Sequence, residues 1–419
     1  MKRRGKSKPS VDYGLPPIPA FERLKRTHSL MTVGETAMAI ALADSLFLSV
    51  SPDAARFKII LFLAVSMAPF AVVSPLIGPR IDRMKGGHRM VVILVGILRA
   101  LVLLGISQVL SSKEIVPSIG LYLLVFSSMI LGKTYAIAKS AIVPTVEEDE
   151  EDLVKANSKL GQIAGITGFV VAAPIAALQW MSSTLALGFG MLAFFFAALN
   201  AYRLPKAAIA PRPAEQIEIE ELHSTSIVST GNAMRILRGC VGFMFFHLAF
   251  WLRGEVAGTA WFGFALGMIG VAVLGANTFG PFMKKHMRES MMMLSALLAV
   301  GVCGIIAAWY DRVVGGILLA AIVNAAGTIG KLSFDSTVQS DAPDANRGRA
   351  FAQFETKNQL AWVVGGIIPV IFNPSGQIGF IIVAIVGLAG AAMYYRAGGL
   401  STRSRVSPTR DPELPLRSE

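Results

Sequence analysis

The stretch Gly78-Pro79-Arg80-Ile81-Asp82-Arg83-Met84-Lys85-Gly86-Gly87-His88-Arg89 places dense charge and glycine between two long apolar runs, at residues 57–78 and 90–110. Each run is long enough to cross a bilayer as a helix, which needs about 20 residues. The stretch between them must therefore be a short loop at a membrane surface. Its three arginines and one lysine indicate the cytoplasmic side, because basic residues are enriched in the cytoplasmic loops of membrane proteins.

The composition of the whole chain also indicates a membrane protein. Of its 419 residues, 53% are hydrophobic and 16% are charged, and the mean hydropathy is +0.58. Soluble proteins carry about 25% charged residues. The net charge of +12 does not indicate a nucleic-acid partner, because the basic residues lie in short loops and tails between apolar runs. Cys240 and Cys303 lie inside apolar runs, which predicts packing rather than a disulfide or a metal site.

Twelve apolar spans follow one another along the chain. The first six lie at 29–50, 57–78, 90–110, 118–140, 158–179 and 183–203, and the second six at 233–252, 258–283, 290–310, 313–335, 351–372 and 377–396. The predicted units are a basic cytoplasmic tail at 1–27, an N-terminal six-helix bundle at 28–203, a Pro- and Glu-rich cytoplasmic linker at 204–232, a C-terminal six-helix bundle at 233–396 and a cytoplasmic tail at 397–419.

The distribution of basic residues predicts the orientation of these spans. Thirty of the 39 Lys and Arg residues lie in the tails, in the loops of one side or at the helix ends beside them, whereas five lie in or beside the loops of the other side and four lie inside spans. Such a bias predicts a multi-pass protein of the plasma membrane with both termini in the cytoplasm.

Two dipeptides recur at nearly the same offset in the two halves. Gly78-Pro79 and Gly280-Pro281 are 202 residues apart, and Gly132-Lys133 and Gly330-Lys331 are 198 apart. This repetition predicts two bundles related by an axis along the membrane normal.

Several motifs resemble the major facilitator superfamily. Gly78, Asp82 and Arg83 have the spacing of the conserved pattern in the loop between its helices 2 and 3, although Gly86 comes one residue late. Gly34-Glu35 in span 1, and the passage from Pro144 to Ser158, are similar to the superfamily's siderophore and multidrug exporters. The resemblance extends over residues 28–396.

The resemblance implies an all-α fold of twelve transmembrane helices in two pseudo-symmetric bundles, working by alternating access. It implies a monomeric transporter rather than an enzyme, with no cofactor and no metal, and a small-molecule substrate bound between the bundles. Gly78, Asp82, Arg83 and Arg89 would form the cytoplasmic gate. Because the sequence contains no nucleotide-binding motif, the expected energy source is the proton gradient, and the expected task is export of a small amphiphilic molecule.

Ionisable residues inside spans are costly and mark functional sites. The candidates for the proton and substrate sites are Asp44, Glu35, Arg99, Lys133, His247, Lys331, Asp335 and Glu355. Lys331 and Asp335 are four residues apart, so they share a helix face and could pair. Six ionisable residues are expected in the cytoplasmic third of their helices: Glu35, Lys133, Lys331, Asp335, Glu355 and Lys357. They would form ion pairs that close that side, or their side chains would reach the headgroups.

Asp44 and Arg99 are expected nearer the middle of the membrane. Asp44 could be a coupling residue that takes up and releases a proton, or it could form a structural pair with Arg99. Two other functions remain open. The same fold could serve a proton-symporting importer or a lipid flippase, and a transporter scaffold could serve a non-transporting receptor or assembly factor.

Overall fold

The computed structural model describes residues 19–42, 87–111, 119–146, 152–205, 225–252, 258–341 and 347–400. These ranges contain eleven α-helices and no strand: α1 (Ala20–Leu42), α2 (Gly87–Ser111), α3 (Ile119–Val146), α4 (Leu153–Met181), α5 (Ser183–Ala201), α6 (Thr225–Trp251), α7 (Gly258–His286), α8 (Glu289–Tyr310), α9 (Val313–Asp341), α10 (Arg347–Phe372) and α11 (Gly376–Arg396). Each corresponds to one predicted span, which confirms the all-α fold. The remaining predicted span, 57–78, lies outside the described residues.

The helices have the length and surface of membrane spans. Eight of those described are long and apolar enough to cross a bilayer. Large apolar side chains also point outward, among them Phe169, which is 82% exposed, and Ile305 and Ile385. Such a surface is unfavourable in water and is expected where helices face lipid tails.

The helices pack into two groups. In the N-terminal bundle, α1 and α2 both pack against α5, and in the C-terminal bundle, α6 packs against α10 and α8 against α11. Arg23 near the start of α1 donates to the backbone oxygen of Arg203 after α5, so α1 begins at the face where α5 ends. We call this the terminal face, where α1 begins and α11 ends, and the other the opposite face.

The helix ends agree with the predicted spans at only one of these faces. At the opposite face the described ends lie within two residues of the prediction, apart from α1, whose described part ends at Leu42. At the terminal face α1 begins nine residues early and α6 eight, and α3 and α9 continue for six more. Residues 20–27 and 225–232, assigned by sequence to a tail and the linker, are therefore helical. The extra turns of α1, α6 and α9 are rich in polar residues, so hydropathy alone does not include them, whereas the extra turns of α3 at 141–146 are mostly apolar.

Candidate functional site

The two bundles meet through a small set of inner helices. Among the described residues, α4 contacts α7 and α9, and α3 contacts α9 and α10. The hydrogen bonds and ion pairs that join the bundles there all lie in the half of the membrane next to the terminal face.

A group of polar residues near the terminal face, most of them buried, joins the bundles. Asn157 donates its Nδ2 to Oε1 of Gln339 (2.6 Å), and Gln339 donates its Nε2 to the backbone oxygen of Ser140 (2.9 Å). Ser158 donates to the backbone oxygen of Asn277, which also accepts from Gln162 (3.2 Å). We call Ser140, Asn157, Ser158, Gln162, Asn277 and Gln339 the polar clamp. When the bundles separate, water can replace these partners, so such a contact is reversible at small net cost.

Two glycines allow the helices of the clamp to approach. A Cβ at Gly161 would collide with the Asn277 side chain, and one at Gly165 with Leu274. Both glycines lie on α4, and small residues of this kind allow close helix contact in membranes. Gly161 and Gly165 thus lie at the contact between α4 and α7.

A deeper ion pair crosses the interface. Lys133 Nζ on α3 lies 3.5 Å from Glu355 Oε1 on α10, with the side chains 32% and 19% exposed. The positive charges of Arg238 and Lys331 also act on Glu355. The predicted ion pair that closes one side therefore exists between these candidates. Lys133 lies 13 residues before the end of α3, about 20 Å along the helix axis, which is deeper than the predicted outer third.

The predicted pair within one helix is also confirmed. Lys331 Nζ donates to both carboxylate oxygens of Asp335, at 2.9 and 2.8 Å. Asp335 is buried, whereas Lys331 is half exposed. Lys357 of α10 is exposed and lies over the Phe354 ring, and its reach to the headgroups stays a prediction.

Glu35 and Arg99 form a pair inside the N-terminal bundle. Arg99 Nη1 donates to Glu35 Oε1 at 2.6 Å; Arg99 is 2% exposed and Glu35 is 46% exposed. The guanidinium also lies 4.3 Å from the centre of the Phe194 ring. Glu35 therefore lies at the depth of Arg99 rather than in the predicted outer third, because α1 begins earlier than its predicted span. Asp44, the alternative partner for Arg99, lies outside the described residues.

His247 is packed among aromatic rings rather than near the other candidates. It is 1% exposed and stacks on Phe243 and Trp251, with Phe380 edge-on. Because it lies four residues before the end of α6, it belongs to the opposite face. Its contacts support a structural role.

Of the predicted gate residues, the structure describes only Arg89. Its Nη1 donates to the backbone oxygens of Tyr202 and Leu204, at 3.2 and 3.3 Å. These bonds hold the start of α2 to the end of α5 within one bundle. Gly78, Asp82 and Arg83 lie outside the described residues, so their role in a gate stays a prediction.

Sequence reasoning missed two cations and the clamp. Arg238 on α6 and Lys139 on α3 were assigned to helix ends facing the cytoplasm, because the predicted spans were too short at the terminal face. The signal that could have found Arg238 is its position six residues inside a predicted span.

Among the described residues, no group of three His, Cys, Asp or Glu side chains could hold a metal ion.

Comparison with known proteins establishes the family. The sequence model of the Major Facilitator Superfamily matches residues 28–366, and the chain belongs to this superfamily. It is 28% identical over 404 residues to the uncharacterized protein ML2143 of Mycobacterium leprae, covering 87% of this chain and 70% of that protein. It is also 28% identical to the uncharacterized protein Rv0876c of Mycobacterium tuberculosis, covering 87% of this chain and 72% of that protein.

Solved structures share the fold at low identity. A bacterial homologue of the iron transporter ferroportin, in an outward-facing state, superposes with a TM-score of 0.72 at 16% identity, over 91% of this chain and 100% of that one. FucP, in its outward conformation, superposes with a TM-score of 0.64 at 11% identity, over 90% of this chain and 98% of that one. The human organic anion transporter MFSD10 superposes with a TM-score of 0.62 at 16% identity, over 91% of this chain and 100% of that one. The chain is thus a multi-pass membrane transporter with a small-molecule substrate, and not an enzyme. The exporter branch stays a prediction.

Proposed function

We propose that this transporter exports a small amphiphilic molecule across the plasma membrane in exchange for protons. The observation that carries the proposal is that the polar contacts between the bundles, among the described residues, lie in one half of the membrane. Separation of the bundles there, with closure at the opposite face, would expose a site between them to each side in turn. This is the alternating access of secondary transporters.

The orientation predicted by the basic residues completes this proposal. With both termini in the cytoplasm, the closed terminal face is the cytoplasmic side and the present state faces outward. The ferroportin homologue and FucP are described in the same state. The protein would act as a monomer, since each chain of this fold carries both bundles.

Glu35 is the described carboxylate that best fits the proton site. Its side chain is 46% exposed, yet it neutralises a buried guanidinium. A proton that binds to its carboxylate would remove the charge that holds Arg99, and deprotonation would restore the pair. The site would thus exist in two states that differ by one proton. FucP of E. coli, which shares the fold, is described as a fucose:proton symporter, and this supports the choice of the proton as the coupling ion. Asp44 remains the second candidate.

The test is a measurement of luminal pH in proteoliposomes under an imposed proton gradient, with candidate amphiphiles added in turn. We expect substrate-dependent proton movement with the wild type, its loss with Glu35→Gln, and normal movement with Glu22→Gln. Glu22 is the matched control because it lies on the same helix and pairs with Lys25 at its start. If Glu35→Gln retains the movement and Asp44→Asn abolishes it, the proton site is Asp44. If no compound moves protons in the wild type, proton coupling is refuted.

A further inference from the structure

The charged residues between the bundles do not balance. Four cations and two anions lie there, and we call them the charged cluster: Lys133, Lys139, Arg238, Lys331, Asp335 and Glu355. A third carboxylate, Glu35, also acts on Lys139, but its charge is already neutralised by Arg99. Lys133 pairs with Glu355 and Lys331 with Asp335. Within the part of the chain that the structure describes, Lys139 and Arg238 have no ion pair and no hydrogen bond from their side chains. Two positive charges are therefore left over.

The two unpaired cations lie in the interior of the protein and not at its ends. Arg238 is 13 residues after the start of α6, about 20 Å along a helix of 27 residues. The charge of Arg238 acts on Glu355 of α10, and the charges of Lys331, Asp335, Glu35 and Glu355 act on Lys139. Both cations thus face the contact between the bundles. A charge held at membrane depth without a protein partner is costly and is expected to serve a pathway or a ligand.

We infer that the transported molecule is an anion, whose carboxylate, sulfonate or phosphate group binds between Arg238 and Lys139. This inference rests on the proposed transport function and names its substrate class. An anionic group would supply the charge that the cluster lacks, and a guanidinium can bind such a group through two parallel hydrogen bonds. A cationic substrate would instead add a like charge to a site that already has a positive excess.

Equilibrium binding to the purified full-length protein in neutral detergent tests this inference without a gradient, so its outcome is independent of proton coupling. The probes are three fluorescent compounds of similar size: dansylglycine, which is anionic, dansylglycinamide, which is neutral, and dansylethylenediamine, which is cationic. We expect dansylglycine to bind about tenfold more tightly than the neutral amide, the usual effect of one hydrogen-bonded ion pair. The cation should bind most weakly.

Variants locate the site. Arg238→Gln and Lys139→Gln should each remove most of the preference for dansylglycine, and Arg238→Lys should retain part of it. The matched control is Arg235→Gln, because Arg235 lies on the same helix and donates to Asn232 at 2.6 Å. Thermal unfolding of each variant shows whether the fold is retained, and the Arg238→Lys result keeps the test valid if one glutamine variant fails to fold.

The inference is overturned if the three probes bind equally, if none binds, or if Arg238→Gln and Lys139→Gln both keep the preference for the anion. A competition arm identifies the source of the anionic group. Displacement of dansylglycine by phosphatidylglycerol, but not by phosphatidylcholine, in mixed micelles would identify an anionic lipid as the ligand. Displacement by benzoate alone would identify a soluble organic anion. Both results support an anion site.

Discussion

Lys133 and Lys331 occupy matching positions in the two halves of the chain, each directly after a glycine and 198 residues apart, yet they are paired differently. Lys133 on α3 reaches across the interface to Glu355 on α10, whereas Lys331 on α9 pairs with Asp335 one turn away on its own helix. The first pair must break when the bundles separate, and the second need not. The near-repeat in sequence therefore supplies one ion pair that depends on conformation and one that does not.

The largest effect is expected when the pair across the interface loses its carboxylate. Glu355→Gln removes the negative charge on which both Lys133 and Arg238 act. Because the pair is only partly exposed, its loss should cost the closed terminal face about 2 kcal/mol, between the values for exposed and buried pairs, or about a thirtyfold shift in the equilibrium. The measurement is the distance between spin labels at Lys159→Cys and Lys285→Cys, in a background without Cys240 and Cys303.

The matched control for this variant is Lys357→Gln, which also removes one charge from α10, but from an exposed side chain. It should leave the label distance unchanged. The exchange Lys133→Glu with Glu355→Lys should restore closure only in part, because Arg238 and Lys331 act on position 355 and would repel a lysine there. A closed terminal face in Glu355→Gln would contradict the role assigned to the pair.

The same two lysines show what sequence can and cannot predict. The pair of Lys331 and Asp335 follows from helix geometry alone, since residues four apart share a face. The partner of Lys133 lies 222 residues away and depends on how α3 docks against α10, for which one sequence offers no signal. The clamp was missed for the same reason. Asn157 and Gln339 are ordinary polar residues near loops until two bundles bring them to 2.6 Å.

The helix ends show a second limit of sequence reasoning. Hydropathy predicted the ends at the opposite face closely, because there the apolar span and the helix end together. At the terminal face α1, α3, α6 and α9 continue beyond their predicted spans, and the added turns of α1, α6 and α9 are largely polar. Arg238 and Lys139 were therefore assigned to the membrane surface, and Glu35 to the outer third, although all three lie deeper. These three residues, whose depth in the membrane was underestimated from the sequence, belong to the proposed anion and proton sites.

A smaller shift is expected from the clamp. Gln339→Ala removes a donor to the backbone oxygen of Ser140 and an acceptor for Asn157, both buried. A lost bond that leaves buried partners unsatisfied costs about 1–3 kcal/mol, but water reaches these groups as the bundles part, so a shift of about tenfold toward the open terminal face is expected. The same spin-label distance measures it.

Thr337→Ala is the control for the clamp variant, because Thr337 lies on the same helix and its hydroxyl donates to the backbone oxygen of Ser333 within α9. It should leave the distance as in the wild type. If Gln339→Ala and Thr337→Ala behave alike, the clamp does not hold the bundles together, and closure depends on the Lys133–Glu355 pair and on apolar packing.

The smallest effect on closure is expected from Asp335→Asn. This variant removes the ion pair within α9 and leaves the Lys133–Glu355 pair across the interface in place. The pair that it removes lies within α9, and such pairs contribute about 0.3–0.5 kcal/mol to a helix, so the label distance should not change. Its charge effect should nevertheless be visible, since Lys331 becomes a third unpaired cation beside Lys139 and Arg238. Dansylglycine should then bind more tightly than to the wild type.

An open terminal face in Asp335→Asn would show that the two pairs act as one network. Unchanged or weaker binding of the anion would show that the surplus charge of the cluster is not what the ligand senses.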